Sequence, residues 1–251
     1  MKALVTRPLP DALALAKTLA ARGIEAVLEP LLTIRPKPDA AALLERELNG
    51  VQALLFTSAN GARAFAGVCA RREFPVFAVG DATSRAAKAA GFAHVESAQG
   101  NAAALAKYAA ARLKPGSGAL LHVSAGEVAG DLAGPLAKGG FRLRRAAIYD
   151  AVAAERLSAE TQALIKRGGL DAALFFSPRT ARCFVRLAGE AGLKDGLAKT
   201  VAFALSAEVA GALREIGWRR IEVAAVPTED ALLAALDRSR TDGDKGQKAQ
   251  P

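Results

Sequence analysis

Short apolar runs alternate with longer Ala/Leu-rich runs along the chain, the pattern of a parallel α/β protein. The apolar runs predict strands at 2–6, 24–28, 52–56, 76–79, 93–96, 119–123, 141–148, 172–176, 201–205 and 220–224. The Ala/Leu-rich runs predict helices at 11–22, 39–48, 60–72, 82–90, 101–113, 129–138, 158–167, 179–191, 207–216 and 229–238. Gly23, Gly91, Gly140, Gly168, Gly192 and Gly217 fall just past helix ends, and Asp39, Asn60, Asn101 and Ser158 stand where N-caps belong. Nearly every strand runs into a small hydroxyl residue and then a helix start: Thr6, Thr57-Ser58, Ser97, Ser124, Ser177, Ser206 and Thr228. The carboxyl edge of an open α/β sheet is where ligands bind, and free N–H groups at helix starts favour anions. For these hydroxyls, ligand contact and simple capping are both open.

The pattern also repeats. With a shift of 119, LLFTSANGARAF at 54–65 lies over ALFFSPRTARCF at 173–184, matching Leu55/Leu174, Phe56/Phe175, Ser58/Ser177, Ala62/Ala181, Arg63/Arg182 and Phe65/Phe184. VFAVGDATSRAAKAAGF at 76–92 resembles the stretch that ends at Trp218, and the opening through Gly23 resembles ALLHVSA through Gly140. Two related halves meeting near Pro115-Gly116-Ser117-Gly118 are one reading, with a ligand cleft between them. Unrelated Ala-rich βα units sharing the same generic pattern are the other.

Composition narrows the class. The 251 residues suffice for one large domain or two compact ones, with aliphatic cores, since 51% of residues are apolar but only 5% aromatic. No apolar run reaches the roughly 18–20 residues of a membrane span. MKALVTRP reads straight into a strand without a signal peptide, and Cys69 and Cys183 sit on predicted helices, so a cytoplasmic chain without disulfides is expected. The net charge is +9. Arg71-Arg72, Arg142-x-Arg144-Arg145 and Arg219-Arg220 are short, dispersed clusters that read as solvated surface rather than as a nucleic-acid face. After Arg238 the chain turns polar, and 239–251 is expected to be a disordered tail.

Absent motifs narrow it further. GxxxxGK[ST], GxGxxG after the first strand, HExxH and CxxC are all missing, which removes support for phosphate-loop, dinucleotide and zinc chemistry. His94 and His122 lie on or beside strands, as satisfied, partly buried histidines do. Ser124 follows His122 by two positions without a GxSxG elbow. Asp81 and Asp131 start helices and Asp150, Asp171 and Asp230 read as turn or cap residues, so carboxylate acid–base catalysis is poorly served. Of the two tyrosines, Tyr108 is helical. Tyr149 ends the strand FRLRRAAIY, where it either covers a domain joint or donates a proton, its ordinary pKa near 10 keeping it protonated at neutral pH.

Read in order, LVTRP (4–8), FTSANGARAF (56–65), AVGDATSRAAKAAGF (78–92), SAQGNAAALA (97–106), HVSAG (122–126), AIYDA (147–151), FFSPRTARCF (175–184), FALSAEVA (203–210) and VPTEDALLAAL (226–236) resemble the uroporphyrinogen-III synthase family from Met1 to about Arg238. The resemblance implies two Rossmann-like or flavodoxin-like α/β parallel-sheet domains joined by two extended crossover strands, with a cleft between. It divides the chain into 1–35 plus 152–238 and 36–151, against the boundary near Gly116 that the repeats alone suggest. It implies cyclisation of hydroxymethylbilane, a linear tetrapyrrole polycarboxylate, with inversion of its last ring through azafulvene and spiro intermediates. No metal and no cofactor are implied, and the partners expected are the small-molecule substrate and transient contact with the preceding pathway enzyme, with neither nucleic acid nor membrane, for a monomer. By the same likeness Tyr149 is the proton donor to the departing hydroxyl, and Thr83 and Thr228 match positions linked to activity or binding. Ser58 and Ser177 match paired strand-end serines. Arg7 and Arg179 are expected as carboxylate partners, Asn101 turns helix amides toward the ligand, and Thr57, Ser124 and Ser206 complete the substrate-binding set. The rival readings are a non-catalytic anion binder of the same fold and a nucleotide-dependent α/β protein, the latter disfavoured by the missing glycine fingerprint.

Overall fold

The computed structural model describes residues 1–126 and 130–247, with the side chains of 241–247 excepted. The chain divides into two units, Met1–Thr33 with Val152–Pro251, and Ile34–Ala151. Gly116 is therefore not a boundary; it lies in a turn inside the second unit. The chain passes from one unit to the other twice, within β3 (Leu32–Pro36) and within β8 (Leu143–Ala153).

The first unit is built on β1 (Lys2–Val5), β2 (Glu25–Leu28), β9 (Ala172–Phe175), β10 (Val201–Ala204) and β11 (Arg220–Val223), in the parallel order β11-β10-β9-β1-β2. Its central strands β9 and β10 are apolar on both faces, as a sheet covered on both sides requires. Ala173 and Phe175 face Phe184, Leu187 and Trp218, whereas Ala172 and Leu174 face Leu15, Leu19, Leu232 and Leu236. The helices are α1 (Leu9–Ala20), α7 (Ala159–Lys166), α8 (Pro178–Glu190), α9 (Ala207–Gly211) and α10 (Glu229–Gln247). Contrary to the expected disordered tail, α10 runs nine residues past Arg238. Ser239 accepts a hydrogen bond from Arg220 at 2.6 Å and Arg240 donates to the Arg22 carbonyl at 2.9 Å, so the first two residues of the extension are anchored where composition showed nothing to bury. Residues 248–251 of that tail lie outside the described residues.

The second unit orders its strands β3-β8-β7-β4-β5-β6, with β4 (Val51–Phe56), β5 (Val76–Ala78), β6 (Val95–Ser97) and β7 (Ala119–Ala125). One face carries α3 (Ala59–Val68) and α4 (Asp81–Ala89) over Leu54, Phe56, Val123 and Ile148. The other carries α5 (Ala102–Ala110) and α6 (Ala133–Lys138) over Ala53, Leu55, Phe77 and Leu120; α2 (Ala40–Glu47) completes the unit. β3 was not among the predicted strands, and β8 continues five residues beyond its predicted end, so Tyr149 lies inside a strand rather than closing one. Asn60 is not a cap: Ser58 caps α3, and Asn60 supplies the N–H it accepts. Asp39 makes no capping bond, while Asn101 and Ser158 do cap α5 and α7.

The sequence repeat has a physical counterpart. Phe56, Phe65 and Phe92 form a three-ring cluster with centroids 5.6–6.1 Å apart in the second unit. At the matched positions Phe175, Phe184 and Trp218 form its equivalent in the first, at 5.3–5.9 Å. Each cluster pins a helix to the strand before it.

The basic clusters are not merely solvated. Arg72 donates to the Ala90 carbonyl (2.6 Å) at the end of α4 and to the Cys69 (2.6 Å) and Ala66 (3.3 Å) carbonyls at the end of α3. Its guanidinium lies over the rings of Phe65 and Phe92. Arg144 likewise binds the Glu47 carbonyl at the end of α2 and the Asn49 carbonyl just beyond it. Last-turn carbonyls have no partner within their own helix, and a guanidinium fork answers several together. Arg72→Ala should therefore destabilise the protein by about 2 kcal/mol. Denaturant unfolding measures this; a loss below about 0.5 kcal/mol, the range of ordinary surface changes, would show the fork to be incidental.

Candidate functional site

In each unit some of the candidate residues lie where the strand connections diverge, and the others stand at helix starts along the same sheet. In an open α/β sheet that switch point leaves a crevice at the carboxyl ends of the two central strands. In the second unit it lies between β4, which leads on to β5, and β7, which leads to β8. In the first it lies between β1 and β9.

At the second unit's switch point, β4 ends in Thr57 and Ser58. Ser58 accepts a hydrogen bond from the Asn60 N–H at 3.0 Å, opening α3. Thr57 Oγ1 and His122 Nε2 share a hydrogen bond of 2.9 Å. His122 is buried on β7, and burial, helped by the charge of Arg145, lowers its pKa from 6.5 to about 4. Its ring is thus neutral at physiological pH. Ser124 is 1% exposed; its hydroxyl donates to the Ala125 carbonyl and accepts from Arg145 Nε, both at 2.9 Å. With its proton and a lone pair committed, Ser124 braces the corner instead of presenting the outward-facing hydroxyl expected of a strand end.

Tyr149 reaches this corner through an irregularity of β8. Ser124 pairs with Ala147 and Ala125 with Tyr149, so β8 carries one extra residue at this point, a β-bulge. Regular alternation would put Ile148 and Tyr149 on opposite faces. Both instead join the apolar cluster beneath α3, with Phe56, Ala62 and Ala146. Tyr149 is 4% exposed, and a Cβ on Gly61, in the first turn of α3, would stand 3.8 Å from its phenol oxygen and 3.0 Å from the Val123 carbonyl. The bare glycine lets α3 sit close to β7 with the phenol alongside. Burial raises the Tyr149 pKa above its usual 10, while hydrogen bonding by the Ser58 side chain pulls it back.

Two further candidates stand at neighbouring helix starts of this unit. Thr83 is buried in the first turn of α4, and Asn101 caps α5 by accepting from the Ala104 N–H at 3.0 Å.

At the first unit's switch point, Arg7 follows β1 and lies over the Phe176 ring, with 4.5 Å from its central carbon to the centroid. It pairs with Glu229 at the start of α10 and with Asp11 of α1 at 3.5 Å. The expected carboxylate partner thus already holds carboxylates of its own chain. Ser177 caps α8, accepting from the Thr180 N–H at 3.1 Å. It also shares a 2.9 Å hydrogen bond with the Thr180 hydroxyl, which itself donates to the Ser177 carbonyl. Ser177 then gives its proton to Thr180. Arg179 occupies the first turn of α8. Ser206 caps α9 through the Val209 N–H (3.4 Å), and Thr228 receives the Ala231 N–H at 3.3 Å. Since a capping hydroxyl accepts, the protons of Ser206 and Thr228 stay available to an anion.

The residues that the sequence reading missed are Gly61, Arg145 and the bulge at Ile148, along with Asp11 and Glu229 around Arg7. Gly61 had a signal, as a glycine in the first turn of a predicted helix; the bulge left none. Among the described residues no cluster of three metal-ligating side chains occurs, and no helix is long and apolar enough to cross a membrane.

Residues 14–234 match the family model described as uroporphyrinogen-III synthase HemD. The chain belongs to the uroporphyrinogen-III synthase family. Solved structures similar to it include a mutant uroporphyrinogen III synthase from the extremely thermophilic bacterium Thermus thermophilus, with TM-score 0.57 and 20% identity over 98% of this chain and 99% of that one. Another is the uroporphyrinogen-III synthetase from Helicobacter pylori, with TM-score 0.62 and 17% identity over 95% of this chain and 98% of that one. At such identities the likeness speaks to the fold, two α/β parallel-sheet units in this family member. Comparison with curated protein sequences gives no match.

Proposed function

We propose that this chain acts as a uroporphyrinogen-III synthase in tetrapyrrole biosynthesis, a cytoplasmic, monomeric lyase that closes hydroxymethylbilane to uroporphyrinogen III without a cofactor. The observation that carries this reading is Tyr149, a phenol turned by a bulge to the start of α3 and protonated at neutral pH, with burial raising its pKa further. Tyr149 gives its proton to the departing hydroxyl, water leaves the hydroxymethyl carbon, and a cationic azafulvene remains. The last pyrrole attacks through its substituted α-carbon, the spiro intermediate fragments, and the ring recloses with that pyrrole inverted. The hydrogen shed by the carbon that finally closes the ring replaces the one Tyr149 gave, so the sum is loss of one water.

Pyrrole supplies the electron push, which leaves the protein mainly a positioning task. In this reading Thr57, Thr83, Asn101, Ser206 and Thr228 hold substrate carboxylates with hydroxyls, amides and helix-start N–H groups. Ser177 and Arg179 shape the start of α8, and Arg7 binds an acid group only by exchanging Glu229 for it. The decisive experiment is an isomer assay on freshly made hydroxymethylbilane. The purified chain should turn it into the type-III isomer faster than spontaneous closure yields type I; a type-I product alone would leave a non-catalytic binder of the same fold.

A further inference from the structure

The geometry points to Ser58 as a positioning residue for Tyr149: its hydroxyl donates to the phenol oxygen and meets the charge left when the phenol gives up its proton. This rests on the acid role proposed for Tyr149 and adds to it a residue that need not touch substrate. Family likeness and strand-end position both suggested a serine that binds the ligand or merely caps a helix. Three features of the corner favour the new assignment.

The first is the proton count at Ser58. Its oxygen accepts from the Asn60 N–H at 3.0 Å, and its backbone carbonyl accepts from the Gly61 N–H at 3.0 Å. A capping serine spends a lone pair and keeps its proton, so Ser58 has one O–H left to direct. The second is that Tyr149 is aimed at this turn. The bulge turns it under α3, where its phenol oxygen comes within 3.8 Å of the place a Cβ on Gly61, three residues after Ser58, would occupy. The third is the apolar setting. Phe56, Ala62, Val123 and Ile148 belong to the cluster that contains Tyr149, and none of their side chains can answer a phenolate. A phenol 4% exposed in such surroundings releases its proton readily only if a donor waits for the anion. The Ser58 side chain is that donor, and it opposes the upward pull of burial on the phenol.

The two tyrosines make the idea measurable. In a Tyr108→Phe background Tyr149 is the sole tyrosine. Biosynthetic replacement by a polyfluorinated tyrosine then gives one fluorine reporter whose titration falls within the range where the protein stays folded. Ser58→Gly removes the hydroxyl and, since glycine is tolerated as an N-cap, costs only a few tenths of a kcal/mol. Ser58→Thr keeps both hydroxyl and cap. Ser58→Gly should move the fluorophenol midpoint up by about one pH unit and lower kcat about tenfold, with KM within about twofold, as expected when an interaction tightens only in the transition state. Ser58→Thr should leave both near their starting values. An unmoved midpoint in Ser58→Gly overturns the proposal whatever the activity does. The role of Tyr149 fails separately: if Tyr149→Phe retains full turnover while the midpoint still moves, the contact stands and the acid assignment falls.

Discussion

Tyr149→Phe should lower kcat for hydroxymethylbilane by about 10²- to 10⁴-fold, the usual worth of a positioned general acid, and leave the fold intact. The substitution removes one oxygen and nothing else. Its ring keeps the apolar neighbours Phe56, Ala62, Ala146 and Ile148, so no cavity opens. Among the described residues the phenol oxygen is not one of the shielded, unpartnered atoms, a state that only Thr161 Oγ1 shows. Stability should therefore change by less than about 1.5 kcal/mol, the net scale of one hydrogen bond, while chemistry loses its acid. Single-turnover rates and denaturant unfolding on the same preparation separate the two effects. A variant within about threefold of the parent rate, well under the range for an acid catalyst, removes Tyr149 from the mechanism. Residual product should shift toward the type-I isomer, because spontaneous closure competes as the enzymatic path slows.

Local signals in the sequence were strong where one strand and the following helix decide the outcome. Leu54, Phe56 and Phe65 announce a strand that packs its own crossover helix, and the structure repeats that with Phe175 and Phe184. Linear reading failed where the connectivity is not linear. β1 pairs with β9, 167 or more residues away, and β7 joins β4 in the other sheet, so each unit combines pieces of both repeats. A repeat boundary at Gly116 then cuts through a unit instead of between two. The bulge at Ile148 is also invisible in sequence, because AIYDA holds no glycine to mark it. The arginines misled for another reason. Charge and spacing describe Arg72 and Arg145, but their tasks are fixed by carbonyls that tertiary packing brings to them, such as Ala90 for Arg72 and Ala125 for Arg145.

Acidification should destabilise this protein through His122, and His122→Gln should remove most of that sensitivity. The histidine has a folded pKa of about 4 against 6.5 when unshielded, because it is buried and faces the positive charge of Arg145. Between those values the unfolded chain binds a proton that the folded chain refuses, so stability must rise with pH across the window. The contribution of the neutral ring is complete above pH 6.5 and is lost as pH falls through about 4. The full span of that change is about 3 kcal/mol, since each pH unit between the two values is worth about 1.4 kcal/mol. Protonation would place a cation at the β4–β7 corner beside Arg145, and it would compete for the hydrogen bond that fixes Thr57 at 2.9 Å. Glutamine can make that hydrogen bond and cannot titrate. Denaturant unfolding of the two proteins at pH 7 and pH 4.5 should then show a wild-type loss larger than the variant's by about 2 kcal/mol, most of the linkage span. Carboxylates elsewhere titrate in both proteins and cancel in the difference. Parallel losses in the two would mean that His122 accepts its proton in the folded state, and that the corner is wetter than its burial implies.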